Sequence, residues 1–390
     1  MATTVNDRSL NANDISVSVS LQTTKGVIDN NPAFDQVRRT SGTPTRSISY
    51  VESSEIKTNQ QGKQQIQDTK SYPAELASEV TQQTKDFLVA GLNADVVDNS
   101  KTATDIAATG TGFTIPSNSL SAGEYIFVSG LANADDNRAY YVKSVSGDDI
   151  TTSPAPSATE AAGESITVSS KKATSGSSRY YYAIQERIVD LSAANDISYR
   201  TYLDGQVNSI TFEVPETGIC TSTASFLSEK PVPGDAAITG QTDNPRDQSD
   251  SVSAINNIKR FWVDGVDSDC AVKSLTLDIN NNLQEDRSAG CDAVRNEGRS
   301  FTASGSFVTR SLISDSREYQ RKYETGERMN VALEVEWPDD NKQMVVVIEQ
   351  LVITEHSMAT EANAIASNEM SFAGEESEIN GYTVSVYSNF

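Results

Sequence analysis

Apolar residues in this chain recur at every second position over most of its length, the spacing of strands and not of helices. Residues 272–307 show it best. Leu275, Leu277 and Ile279 alternate with Thr276 and Asp278, as in a half-buried strand. Asn280, Asn281 and Asn282 then favour a turn over a sheet. A polar loop with Gly290 and Gly298 follows, and alternation resumes over residues 301–308, with Ala303, Gly305 and Phe307 on one face. The spacing predicts an extended hairpin. Residues 47–51, 72–80, 180–189, 219–227, 371–373 and 382–387 read as further strands. So do residues 328–337, with Met329, Val331, Leu333, Val335 and Trp337 inward and Asn330, Glu334 and Glu336 outward. Residues 344–353 are apolar on both faces, as a central strand is. Asp204-Gly205, between strands 199–203 and 207–214, reads as a hairpin turn. Helical spacing is confined to residues 81–92 and 311–323.

The order strand, polar loop, strand, short helix occurs at residues 47–92 and again at 274–323, which predicts an internal duplication. Residues 96–172 differ in texture. Ser, Thr, Ala, Gly and Asp dominate, and short strands at 124–129, 139–144 and 165–169 are separated by turn signals. The predicted fold class is mainly β: two duplicated sandwich- or barrel-like domains, each with one short helix, plus an inserted small SH3-like or Ig-like β domain. The boundaries are an N-terminal arm at 1–44, a first domain at 45–95 and 173–228, the insert at 96–172, a loop at 229–257 and a second domain at 258–390. In the arm, Ile15, Val17 and Val19 alternate, which predicts a strand added to a neighbouring sheet, tying one subunit to the next.

Charge narrows the function. Lys and Arg number 31 against 54 Asp and Glu, a formal net charge of −23, so no broad face is built to grip phosphate. Cys220, Cys270 and Cys291 form neither a disulfide framework nor a zinc spacing. The one histidine, His356, has no nucleophile motif beside it, and no phosphate-binding glycine loop occurs before a helix. Asp264, Asp267 and Asp269 suggest calcium, but the turn glycine and the bidentate Glu of a calcium loop are missing. Tyr180, Tyr181 and Tyr182 read as packing residues and not as a base-stacking platform. No cofactor, no metal and no catalysis are expected. The first ten residues hold no apolar stretch and no run is long enough to span a bilayer, which predicts a chain made in a reducing cytoplasm, without a leader or membrane contact.

Several blocks, in order, resemble the major tail tube proteins of long-tailed, non-contractile bacteriophages. They are Arg39-Thr40-Ser41-Gly42; Ser53-Ser54-Glu55-Ile56 with its Gln-rich loop; Glu75-Leu76 before a helix ending in Phe87-Leu88; Gly205-Gln206-Val207-Asn208-Ser209 within residues 199–212; and Val272-Lys273-Ser274-Leu275 with Phe301-Thr302-Ala303-Ser304-Gly305. The resemblance implies a sandwich-like tube domain with one helix. It implies sheets of neighbouring subunits joined around a channel, and rings of three duplicated chains or six single ones. Rings would stack into a conduit through which DNA passes without specific binding. Implied partners are the tape measure, tail terminator and baseplate or tail-tip proteins, in a virion tail assembled in the host cytoplasm. Under that reading Glu52, Glu55, Asp278, Glu334 and Glu336 are the channel-lining candidates. The alternatives are a tail-end (terminator or distal) protein of the same fold, a surface adhesive β-protein, or a carboxylate-pair glycosidase.

Overall fold

The computed structural model describes residues 14–54, 63–190, 196–267, 272–287, 295–298, 300–310, 313–337, 341–359 and 366–390. The chain opens with β1 (Ile15–Gln22), β2 (Ala33–Gln36), β3 (Arg39–Ser41), β4 (Ser47–Glu52), β5 (Gln65–Glu79), helix α1 (Gln83–Gly91) and β6 (Asp95–Asp98). A block of short strands follows: β7 (Lys101–Ala103), β8 (Ala107–Ala108), β9 (Gly112–Thr114), β10 (Tyr125–Ser129), β11 (Ala139–Ser146), β12 (Asp149–Ser153) and β13 (Ile166–Ser169). Then come β14 (Lys171–Thr174), β15 (Tyr181–Asp190), β16 (Asp196–Val214), β17 (Thr221–Ser228), β18 (Lys230–Pro231) and β19 (Thr242–Asn244). The last part holds β20 (Ile258–Val263), β21 (Val266–Asp267), β22 (Val272–Asn280), β23 (Leu283–Asp286), β24 (Arg295–Gly298), β25 (Thr302–Arg310), α2 (Ile313–Thr325), β26 (Met329–Trp337), β27 (Lys342–Ala359), β28 (Ser367–Gly374) and β29 (Val384–Ser388).

One antiparallel ladder runs through the molecule in the order β26–β27–β28–β25–β22–β16–β17–β5–β4. Its apolar face, with Leu76, Phe212, Phe226, Leu277, Phe307, Leu333 and Phe372, forms the main core. Helix α1 closes that face over the first half. Phe87 meets Phe226 edge-on at 5.6 Å, and the first turn takes its missing acceptor from afar, Gln83 N–H donating to Asp247 Oδ2 at 3.2 Å. Helix α2 does the same over the second half, Tyr319 meeting Phe307 at 6.2 Å.

Two ladders share one register. Residues 39–47 pair with β5 as Arg39–Ser78, Ser41–Ala77, Pro44–Ala74 and Ser47–Ser71. β22 pairs with β25 as Val272–Thr309, Ser274–Val308, Leu277–Gly305 and Asn280–Thr302. Both skip a residue at the corresponding step, between Arg39 and Ser41 and between Val272 and Ser274. β16 against β17 and β27 against β28 match likewise: Val207–Phe226 then Ser209–Ser225, and Ile353–Phe372 then Glu355–Ser371.

The block from Lys101 to Ser169 makes its own seven-stranded sheet, β7-β13-β10-β11-β12-β9-β8, with its own core around Phe113, Tyr140 and Ile166. The chain leaves the main body along β6 and returns along β14, and these two strands pair with each other from Asp98–Lys171 to Asp95–Thr174. The block lies on the second face of β26 and β27, where Tyr125, Phe127 and Ala139 pack on Trp262, Ala332, Val345, Val347 and Tyr387. That is why residues 344–353 are apolar on both sides.

Three expectations are corrected. The described part of the arm does not reach away: β1 pairs with β15 of its own chain from Ile15–Ile188 to Gln22–Tyr181, and Val17 is fully buried. Asp204-Gly205 is not a hairpin turn. β16 runs straight through it, and Asp204, at φ +58°, makes a bulge opposite β15 that hands the strand from β15 to β22. Gln22 Oε1 accepts from Asp204 N–H at 2.8 Å and holds the bulge. The loop 229–257 also contains short strands, β18 on β16 and β19 parallel to β2.

Candidate assembly surfaces

The acidic candidates do not share one environment. Glu52 ends β4, exposed, 4.0 Å from Lys63. Glu55 lies outside the described residues. Asp278 stands on the polar face of β22, half-buried, and accepts from Thr211 Oγ1 at 2.6 Å. Glu336 is half-buried beside Lys259 at 3.4 Å. Glu334 corrects the expectation of a clean outward face on β26. It is buried, because the 101–169 block covers that face. Its carboxylate sits 3.6 Å from Arg260 Nη1, which also donates to Ala139 O at 3.1 Å, while Arg260 Nε lies 3.3 Å from Asp267. Burial pushes the Glu334 carboxyl up to about 7, with Arg260 pulling the other way.

The other sequence candidates resolve into packing. Asp264 pairs with Lys322 and accepts from Asn330 N–H at 2.8 Å, so two acids of the suspected calcium loop face cations; Asp269 lies outside the described residues. Tyr182 meets Phe87 edge-on, and Tyr180 donates to Ala94 O at 2.6 Å. Cys220 is a buried thiol pushed up to about 12 by burial; Cys270 and Cys291 lie outside the described residues. His356 lies tilted against Tyr323, with ring centroids 6.5 Å apart.

Sequence reasoning also missed a buried acid close to Glu334's strand. Glu349, on β27 under the block, accepts from Asn380 Nδ2 at 2.9 Å and from Ser385 Oγ, and burial raises its carboxyl. A lone Glu in an apolar strand was the available signal.

The sequence also gave no sign of where the sheet stops. Past Leu351, where β26 ends, the β26-side edge of β27 has no strand on it among the described residues. The outer edge of residues 43–47 is likewise bare, and a groove of about 740 Å³ opens along it, bounded by Thr43–Arg46, Glu186, Arg200 and Pro231. Apolar side chains stand in solvent at these borders: Met358 is 47% exposed, and Tyr50, Val51 and Ile66 at the tip of the β4–β5 hairpin are 58%, 53% and 52% exposed.

Two stretches of the long ladder, β27 past Leu351 and the outer edge of residues 43–47, carry no neighbouring strand among the described residues, and such edges are where a further strand can add. A family model described as phage tail tube protein matches residues 12–380, nearly the whole chain. The chain belongs to the phage tail tube family, as the blocks quoted from its sequence imply. Membership carries a structural role in the virion tail and self-association into the tube. No curated protein sequence matches the chain. No described helix is long and apolar enough to cross a membrane.

Proposed function

We propose that this chain forms rings that stack into the tail tube of a long-tailed, non-contractile phage, around an acidic channel through which the genome leaves. The pair of unpaired sheet borders carries the reading. A neighbour that caps them removes an aggregation liability and closes the sheet on itself. The net charge of −23 supports the conduit role, because a wall that repels phosphate lets DNA slide. Glu52, Glu55, Asp278 and Glu336 stay as the channel candidates, and Glu334, buried under the 101–169 block, is withdrawn from them. The matched ladders support the duplication, hence a ring of three chains and six sheet units. Tape measure, terminator and tail-tip proteins are the partners this role calls for, and no catalytic role is proposed.

Negative-stain microscopy of the purified full chain tests this. Rings or tubes about 100 Å wide, a size set by domain dimensions, are expected. Strictly monomeric protein at high concentration would sink it. Single capped rings that never elongate would favour a tail-end protein of the same fold.

A further inference from the structure

We propose that copies of this chain join through the same ladder that joins its two halves internally, the free edge of β27 in one copy lying on residues 43–47 of the next. The inference rests on the tube reading and adds the surface and its register.

The internal junction is the template. One edge of β16 is covered by β15 as far as Gly205 and then by β22, which pairs Ser209 with Asn280, Ile210 with Ile279, Thr211 with Asp278 and Phe212 with Leu277. β27 has the corresponding neighbours, β26 on one edge as far as Leu351 and β28 on the other. Where β22 would lie, its edge is bare among the described residues. The missing strand has a counterpart at the other end of the chain. Residues 39–47 hold β5 in the register, bulge included, in which β22 holds β25. Laying one junction on the other sets Glu355 opposite Ser47, His356 opposite Arg46, Ser357 opposite Thr45 and Met358 opposite Pro44 of the next copy.

Independent features agree. Thr45 N–H donates inward to Pro73 O at 2.8 Å, so strand alternation turns the N–H and C=O of Arg46 outward, toward the vacant position. The hairpin tips agree as well. β23–β24 pairs Leu283–Gly298 and Gln284–Glu297, as the β4–β5 tip pairs Tyr50–Gln67 and Val51–Ile66. Inside the chain the first of these tips is fastened across the junction. Asn296 N–H donates to Glu229 Oε1, and Leu283 N–H to Asn208 Oδ1, both at 2.9 Å. The second tip leaves Tyr50, Val51 and Ile66 exposed, and no equivalent of those two bonds holds it among the described residues; the template puts it on Thr354 and Glu375 of the neighbour.

The test is a disulfide scan in the full chain carrying Cys270→Ser and Cys291→Ser. Thr45 and Ser357 would form the close kind of antiparallel pair, with Cα atoms about 4.5 Å apart, inside the range a disulfide spans. Thr45→Cys with Ser357→Cys is expected to give, on oxidation of assembled protein, a non-reducing gel ladder ending in one closed species. Thr45→Cys with Glu355→Cys, two residues out of register, should cross-link at least tenfold less. Tyr50→Ser with Ile66→Ser should keep the parent's melting curve and raise the concentration needed for assembly at least tenfold. Rings or tubes by microscopy without the Thr45–Ser357 bridge, or with equal bridging by the offset pair, would overturn the junction and leave the tube reading standing. Failure of the unsubstituted chain to form any polymer would remove both.

Discussion

Glu334 illustrates how far a side chain's neighbours outweigh its place in a pattern. Alternation along β26 turns it away from the main core, and so it does point; but Tyr125, Phe127 and Ala139 roof that side. Nothing within residues 329–337 records a contact made by residues some two hundred positions earlier, so this burial was not legible. The inward set Met329, Val331, Leu333, Val335 and Trp337 was legible, because a strand's own period fixes it. The roof has a thermodynamic signature. The folded-state pKa of Glu334, about 7, lies above the unfolded value of 4.5 because burial disfavours the anion. Between those values the folded state holds more protons, so stability is fully present below pH 4.5 and falls as pH rises through 7. Glu334→Gln should abolish this part of the pH dependence and gain up to about 3 kcal/mol relative to the parent at pH 8. Thermal melts of both proteins from pH 5 to pH 8 check it; parallel curves would show that Arg260 fully neutralises the site.

At the scale of elements, both helices and the alternating parts of the long strands were readable, because period two and the spacing of Phe87, Leu88 and Leu92 are local properties. β20 was not, the polar loop read after Asn282 holds the β23–β24 hairpin, and β5 and β27 run past their predicted limits, to Gln65 and Ala359. Asp204-Gly205 was misread for a local reason too. A left-handed residue suits a tight turn and a bulge equally, and only the partners, β15 before it and β22 after it, decide between them. The pairing of β6 with β14 makes the 101–169 block removable in principle. Replacing residues 99–170 by Asn-Gly would close Asp98 and Lys171 with a two-residue hairpin. The shortened chain should still melt cooperatively and form tubes. It should lose on the order of 5 kcal/mol and become prone to precipitation, since Trp262, Val345, Val347 and Tyr387 are uncovered together. Calorimetry, light scattering and microscopy read the three outcomes. Loss of the cooperative melt would mean that the block is needed to fold the sheet it sits on.

Taken whole, the molecule is a large polyanion that must meet copies of itself. Like charge opposes that encounter over a range of about 30 Å at 10 mM salt but only about 8 Å at 150 mM. With a net charge of −23, polymerisation followed by turbidity should accelerate several-fold across that range, and a rate indifferent to salt would point to charge kept clear of the joining edges. The family was legible in scattered blocks of sequence; which borders stay open was not, because openness is a property of what fails to arrive. The internal seam between β16 and β22 has a further consequence, in time. On the ribosome, β16 is complete about 60 residues before the strand that seals it, on the order of 3–12 s of synthesis. Throughout that interval a nascent half-molecule displays the acceptor edge meant for its own second half. Chains emerging side by side on one messenger would then compete for each other's strands, and a fast, undelayed passage through residues 215–280 protects each copy from being threaded into its sibling.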